Sequence, residues 1–231
     1  MRIAIDLHIH SALSPCAQDD MTPNNIVNMA LIKGLDAIAI TDHNSCDNVK
    51  AALAVADSRI IILPGMELQS REEVHILCYF TEFSELEGFE AFVRPYLQPS
   101  PFDPVMFGRQ LIMDENDEII GEREDLLISS ADLSIDEIVP EVRRRGGAAV
   151  PAHIDRPSFS IISQLGFIPP ELEFKTFEIS SLGLTTFLRD EKSAYITSSD
   201  AHYLENILER ESFLSVEACS SSAIIRSLLC S

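Results

Sequence analysis

Six histidines occur in the chain, His8, His10, His43, His75, His153 and His202, and five of them sit in short polar motifs, most with a carboxylate beside them. The motifs read DLHIH from Asp6, TDH around Asp42, GME ending on Glu67, PAH ending on His153, and SSDAH around Asp200. His8 and His10 are two apart, and on extended backbone that spacing points both imidazoles to one side, where they can grip a single ion. A lone pair of this kind also occurs as ordinary polar residues near a strand end. The remaining histidines and carboxylates make the difference. His75 lies inside an apolar run, where an unpaired imidazole needs a partner. Imidazole nitrogens mixed with carboxylate oxygens suit Zn, Mn or Fe without singling one out. The chemistry such a set performs is metal-assisted hydrolysis.

The elements that must position these residues are legible as alternating short β-branched runs and helical patterns, the signature of β/α units and a largely parallel sheet. Residues 3–7 read as a strand. Thr22 caps a helix with Pro23 at its first position, and Gly34 follows its apolar series. Residues 36–41 open the next unit, 46–58 read as helix, 59–64 as a third strand, 73–80 as a fourth and 84–97 as another helix. Regularity fails between 98 and 133, where prolines precede a segment resembling a hairpin with a polar turn, an expected insertion or cap. It resumes with a helix over 135–145 closed by Gly146 and Gly147, and a strand over 148–152. Strands follow at 174–179, 195–198 and 213–216, separated by short helical segments, with a terminal helix over 222–229. The histidine motifs fall where strands end, and in a β/α barrel those ends converge on one face.

Composition bounds the function. A chain of 231 residues with 46% hydrophobic content fits a single domain over 1–231. Five cysteines without framework spacing, and no signal peptide, point to free thiols in the cytoplasm. No run of eighteen apolar residues supports a membrane span. The net charge of −20 disfavours passive binding to duplex nucleic acid. A phosphorylated substrate remains compatible with it, because bound divalent cations reverse the potential inside a pocket. The acidic stretch over 114–125 lacks calcium-loop spacing and reads as a solvated hairpin.

DLHIHS, TDHNS, GMELQS with HILCYF, PAH and SSDAH together resemble the successive motifs of the PHP (polymerase and histidinol phosphatase) family, over nearly the whole chain apart from the central insertion. The resemblance implies an α/β fold, a distorted, TIM-like seven-stranded β/α barrel, holding two or three divalent metal ions. By matching motif, His8, His10, Glu67 and Asp200 would hold one ion, and Glu67 would bridge to a second held by His75 and His153. His43 and His202 would take a third. Its usual further ligand lies in a pattern like HSxxSDG, where this chain reads HSALSPC, and Pro15 cannot replace it. Cys16, Asp19 or Asp20 could loop back to supply it, Asp20 being preferred as the hard carboxylate. Cys16 and Cys46 otherwise read as inert thiols. Asp6 and Asp42 are expected behind the metal histidines, each accepting an imidazole N–H.

The resemblance implies hydrolysis of a phosphate ester by a metal-bound hydroxide, with Asp200 or His202 assisting proton transfer. Arg156, three residues beyond His153, is a candidate phosphate clamp whose plain alternative is an ordinary surface arginine. The wording of the motifs is most similar to the stand-alone nucleotide or oligonucleotide branch. A small phosphorylated substrate or short oligonucleotide is therefore expected ahead of duplex DNA. Histidinol phosphate, a C–N bond hydrolysed in the manner of amidohydrolases, and a non-catalytic metal-binding regulatory role are the alternatives.

Overall fold

The computed structural model describes residues 1–97, 103–180 and 193–230. The start of the expected insertion, 98–102, and the helical segment expected after residue 179 lie wholly or largely outside them. β1 (Arg2–Ile9) is buried along all but its first residue. At α1 (Pro23–Ile32) the Thr22 hydroxyl accepts the Asn25 amide at 3.2 Å, and Gly34 closes the helix at a φ of +73°. β2 (Ala37–Ile40), α2 (Val49–Ala56) and β3 (Ile61–Ile62) follow, and β1, β2 and β3 run parallel.

Chain direction then changes. Gly65–Gln69, placed by the sequence pattern at the end of the third strand, is itself a strand, β4, antiparallel to β5 (His75–Tyr79). After α3 (Phe83–Val93), α4 (Pro104–Phe107) leads into the expected hairpin, β6 (Leu111–Met113) and β7 (Ile119–Glu122). At its turn Asp114 accepts the amides of Asn116 and Glu118, and Asp117 accepts the Thr22 hydroxyl at 2.7 Å, so the tip is docked on the start of α1. α5 (Ile135–Arg144) begins in a capping box between Ser134 and Glu137. β8 (Ala148–Pro151) pairs antiparallel with β5. After α6 (Ile161–Leu165), β9 (Thr176–Ser180) and β10 (Ala194–Ser198) form a parallel pair. β11 (Phe213–Ser215) lies antiparallel on β1, and α7 (Ser221–Leu229) ends the described chain.

The fold is mixed α/β, and among the described residues no single hydrogen-bonded sheet closes into the expected seven-stranded ring. Among the described residues the strands make hydrogen-bonded sheets of four, three, two and two strands. The tight link over 70–74 returns the chain antiparallel, so this part departs from the largely parallel sheet that the β/α alternation suggested.

Strand residues alternate between two apolar clusters. Ile3, Ile5, Leu7, Leu77, Tyr79 and Val150 gather in one, closed by Ile224 and Leu228 of α7. Ile38, Ile40, Met66, Leu68, Ile76 and Cys78 face the helices in the other. The buried Tyr79 hydroxyl donates to the Leu7 carbonyl at 2.7 Å and ties the two sheets together. Gly65 is required here, since a β-carbon would lie 3.0 Å from both Thr41 and Tyr79 side chains. All five cysteines are unpaired. Among the described residues no helix is long and apolar enough to cross a membrane.

Isolated backbone bridges join the sheets where the motifs sit. Ile9 pairs with Ala201, and His43 pairs with Glu67. These bridges draw the ends of β1 and β2 and the loop after β10 to one point beside β4.

Candidate metal centre

All six histidines, Glu67 and Asp200 converge on that point. His8 and His10 project to the same side as their spacing requires, with Nε2 atoms 3.1 Å apart. Asp200 Oδ1 stands 3.2 Å from His8 Nε2 and 3.0 Å from His10 Nε2. Glu67, 1% exposed, reaches His75 Nδ1 at 2.8 Å, His43 Nδ1 at 3.0 Å, His8 Nε2 at 3.3 Å and His153 Nε2 at 3.4 Å. Potential ligand atoms fall within 4.8 Å of one another in the groups His8–His10–Asp200, His43–Glu67–His75 and His10–His43–His202.

The donor set fits divalent cations on its own geometry. His43 Nδ1 and Glu67 Oε2 are buried and 3.0 Å apart, yet neither makes an aligned hydrogen bond. Atoms packed this closely without bonding one another are aimed at shared points, where a cation satisfies several at once. Backbone strain accompanies them: His153 and Asp200 adopt φ of +30° and +52°, the left-handed region that side chains rarely enter.

Electrostatics is consistent with this arrangement. Burial alone would raise the Glu67 carboxyl, but His75, His8 and His43 hold it well below the usual range. Asp200 is likewise depressed against the effect of burial by His8 and His10. Burial pushes His43 down, and Glu67 with Cys16 outweighs it to raise the imidazole to about 10. His10 is driven well down by burial and by His202 and His43. The Cys16 thiol, which burial would raise, is brought down to about 7 by hydrogen bonds with His202 and His43.

Three sequence expectations fail here. Asp20 is exposed and joins no cluster; its carbonyl accepts the Asn25 side chain. Asp19 is also exposed. After Pro15 the chain turns through Ala17 N to Ser14 O and Gln18 N to His202 O, which carries the two aspartates outward and leaves Cys16 facing His202. Asp6 and Asp42 do not accept imidazole N–H groups either. Asp6 takes the amides of Ser199 and Leu208, fixing the loop that bears Asp200. Asp42 takes the Ser11 amide and the hydroxyls of Ser11 and Ser14, and Ser14 in turn meets His10 Nδ1 at 3.0 Å.

The imidazole-orienting carboxylate is Glu178, which the sequence reading missed. Buried in β9, it accepts His8 Nδ1 at 3.0 and 3.1 Å and the His153 amide at 2.9 Å. A charged residue between Phe177 and Ile179 in an apolar run was the available signal, because a lone carboxylate is rarely buried without a partner. Gln69 orients His75 similarly, its Oε1 accepting Nε2–H at 3.1 Å. Glu178→Gln is expected to lower metal affinity by roughly 10–100-fold with the fold intact, measured by competition with a chromophoric chelator. Unchanged affinity would remove Glu178 from the orienting role.

The cluster opens into a cavity of about 190 Å³ whose rim carries Arg156, Ser158 and Phe159. Arg156 Nη1 is paired with Asp200 Oδ2, and the Phe159 ring stacks on His75 with centroids 4.9 Å apart. A larger groove of about 520 Å³ between Leu53, Phe83 and Ser221 contains no histidine and has no link to this chemistry.

A mixed α/β fold whose strand ends gather histidines and carboxylates defines a candidate metal-dependent hydrolase. Residues 6–98 match the PHP domain family model. Over 163 residues, 71% of the chain, it is 28% identical to an uncharacterized protein of Methanocaldococcus jannaschii, of which it spans 18%. Its fold is similar to a lesion-specific endonuclease, endonuclease Q of Pyrococcus furiosus, with a TM-score of 0.68 and 20% identity, covering 99% of this chain and 56% of that one. Endonuclease Q has also been solved with a 27-mer duplex bearing an abasic lesion at its active site, TM-score 0.65 and 17% identity, covering 99% and 57%. A candidate metal-dependent phosphoesterase of Bifidobacterium adolescentis matches at a TM-score of 0.62 and 18% identity, covering 98% of this chain and 95% of that one. The chain thus spans little more than half of the endonucleases it resembles.

Proposed function

We propose that this protein hydrolyses phosphate esters with the aid of two or three divalent ions, Mn, Zn or Fe, held by His8, His10, His43, Glu67, His75, His153, Asp200 and His202. The observation that carries the proposal is the burial of Glu67 among five imidazoles beside a cavity whose mouth presents an arginine. Such ions supply Lewis acidity and a nucleophilic water at neutral pH. The protein's own residues do the rest. Glu67 would help hold the ions, and Glu178 and Gln69 fix the rings of His8 and His75. Asp200 and His202 sit at the cavity edge, where either can hold a proton for the leaving oxygen. Arg156 reaches from the rim and can exchange its Asp200 partner for two phosphoryl oxygens.

Arg156→Ala is expected to reduce kcat/KM by roughly 10–100-fold, the scale of a hydrogen bond to a charged group, without altering metal content. Arg156→Lys should recover only part of it, because lysine supplies the charge without the planar fork. Steady-state rates with both variants measure this; a change below about twofold for Arg156→Ala marks a surface arginine.

The net charge of −20 favours mononucleotides or short oligonucleotides. A duplex substrate in the complex of endonuclease Q makes lesion-bearing DNA the necessary comparison. The test is a panel of nucleoside monophosphates, histidinol phosphate, short oligonucleotides, an abasic duplex and an amide, offered to protein loaded separately with Mn, Zn or Fe. Cleavage of the nucleotides or short oligonucleotides is expected. Inertness toward every phosphate ester while metal stays bound overturns the proposal.

A further inference from the structure

We infer that Cys16 is a ligand of the third metal position, with His43 and His202, and that its sulfur makes this position select a thiophilic ion. The inference rests on the metal-centre reading above and departs from it in the kind of ligand it adds. The Cys16 sulfur lies 3.1 Å from His202 Nε2. On the other side of that ring, Nδ1 is 2.8 Å from the Asp200 carbonyl, which can only accept. Nδ1 is therefore the protonated nitrogen, and in the neutral ring Nε2 presents its lone pair toward the sulfur. His43 is close enough to Cys16 for the two to influence each other's charge. His10, His43 and His202 bring potential ligand atoms within 4.8 Å of one another.

The loop holds the sulfur in place. Ala17 N bonds Ser14 O at 2.9 Å and Gln18 N bonds His202 O at 3.1 Å, one on each side of Cys16. The Ser14 hydroxyl is anchored on Asp42 at 2.7 Å. From outside, Gly108 packs so closely that a β-carbon there would lie 2.0 Å from the Pro15 carbonyl oxygen, and its φ of +97° suits glycine alone. HSALSPC thus offers a soft ligand where the pattern it resembles carries a hard one. One thiolate with two imidazoles favours Zn, Fe(II) or Co over Mg or Mn, whereas the Glu67 and Asp200 positions remain of mixed nitrogen and oxygen character.

Reconstitution with Co(II) tests this without recourse to activity. Wild-type protein is expected to show thiolate-to-cobalt charge-transfer absorption in the near ultraviolet. Cys16→Ser should lose that band and one equivalent of cobalt, while keeping the visible d–d bands of the other positions and the wild-type circular dichroism. Cys16→Asp should restore the equivalent without the band. Cobalt bound with no charge-transfer band in the wild type, or a band that survives Cys16→Ser, overturns the role of Cys16 and leaves the metal centre standing. A protein that binds no cobalt at all overturns both.

Discussion

Replacing Glu67 by glutamine is expected to lower both metal affinity and phosphate-ester turnover by roughly 10²–10⁴-fold, the scale set by about 3–5 kcal/mol for stripping one partner from a buried charged group. Glu67 is the most connected atom group of the site. Its two oxygens stand within 3.5 Å of nitrogens on His8, His10, His43, His75 and His153. Glutamine keeps the shape but removes the charge and turns an NH₂ donor toward imidazoles that are themselves held protonated or need a cation. The loss must appear in metal stoichiometry as well as in rate, measured by metal analysis after gel filtration and by steady-state kinetics. Glu217→Gln is the control, because its pair with Arg226 is exposed on both sides and worth little. Wild-type metal content and turnover in Glu67→Gln would show that the cluster is not organised around this carboxylate.

Removing divalent ions from loaded protein is expected to lower the thermal midpoint by about 8–16 °C. One site at a thousandfold excess of free ion over its dissociation constant contributes about 4 kcal/mol, and a domain of this size shifts about 2–4 °C per kcal/mol. The difference should widen with pH. His43 is raised to about 10, so in metal-free protein its protonation contributes stability that is complete below about 6.5 and lost as pH rises through about 10. Loaded protein needs this ring neutral and gains from the same rise. Differential scanning calorimetry of stripped and reloaded samples at pH 6 and pH 8 measures both trends. A midpoint indifferent to chelation would mean that the folded cluster takes no ion.

Much of this site was legible in the sequence because its parts lie on short, regular elements. The two-residue spacing of His8 and His10 needs only extended backbone to put both rings on one side, and β1 provides it. Thr22, Pro23 and Gly34 bound α1 by chemistry that acts over three residues. The polar turn between β6 and β7 is similarly local, set by Asp114 bonding to amides just beyond it. What was not legible depends on long-range pairing. β4 carries no clear period-two pattern, being buried at all five positions, and its antiparallel match to β5 decides its state. Glu178 is 170 residues from His8, and only the fold makes them neighbours. The choice between Cys16 and Asp20 turned on the geometry after Pro15, where general preference for a hard ligand favoured the wrong residue for contact. Asp6 and Asp42 adjoin histidines in sequence, yet their carboxylates serve backbone amides and hydroxyls, because the alternation of the strand ends points them at neighbouring loops.

An anomalous-difference map of crystals loaded with Mn or Zn tests the metal centre most directly. At least two peaks are predicted within about 2.0–2.2 Å of the Glu67 carboxylate, one shared with His8, His10 and Asp200 and the other with His75 and His153. A map with no peak in coordinating reach of Glu67, from protein that still cleaves a phosphate ester, would contradict the account.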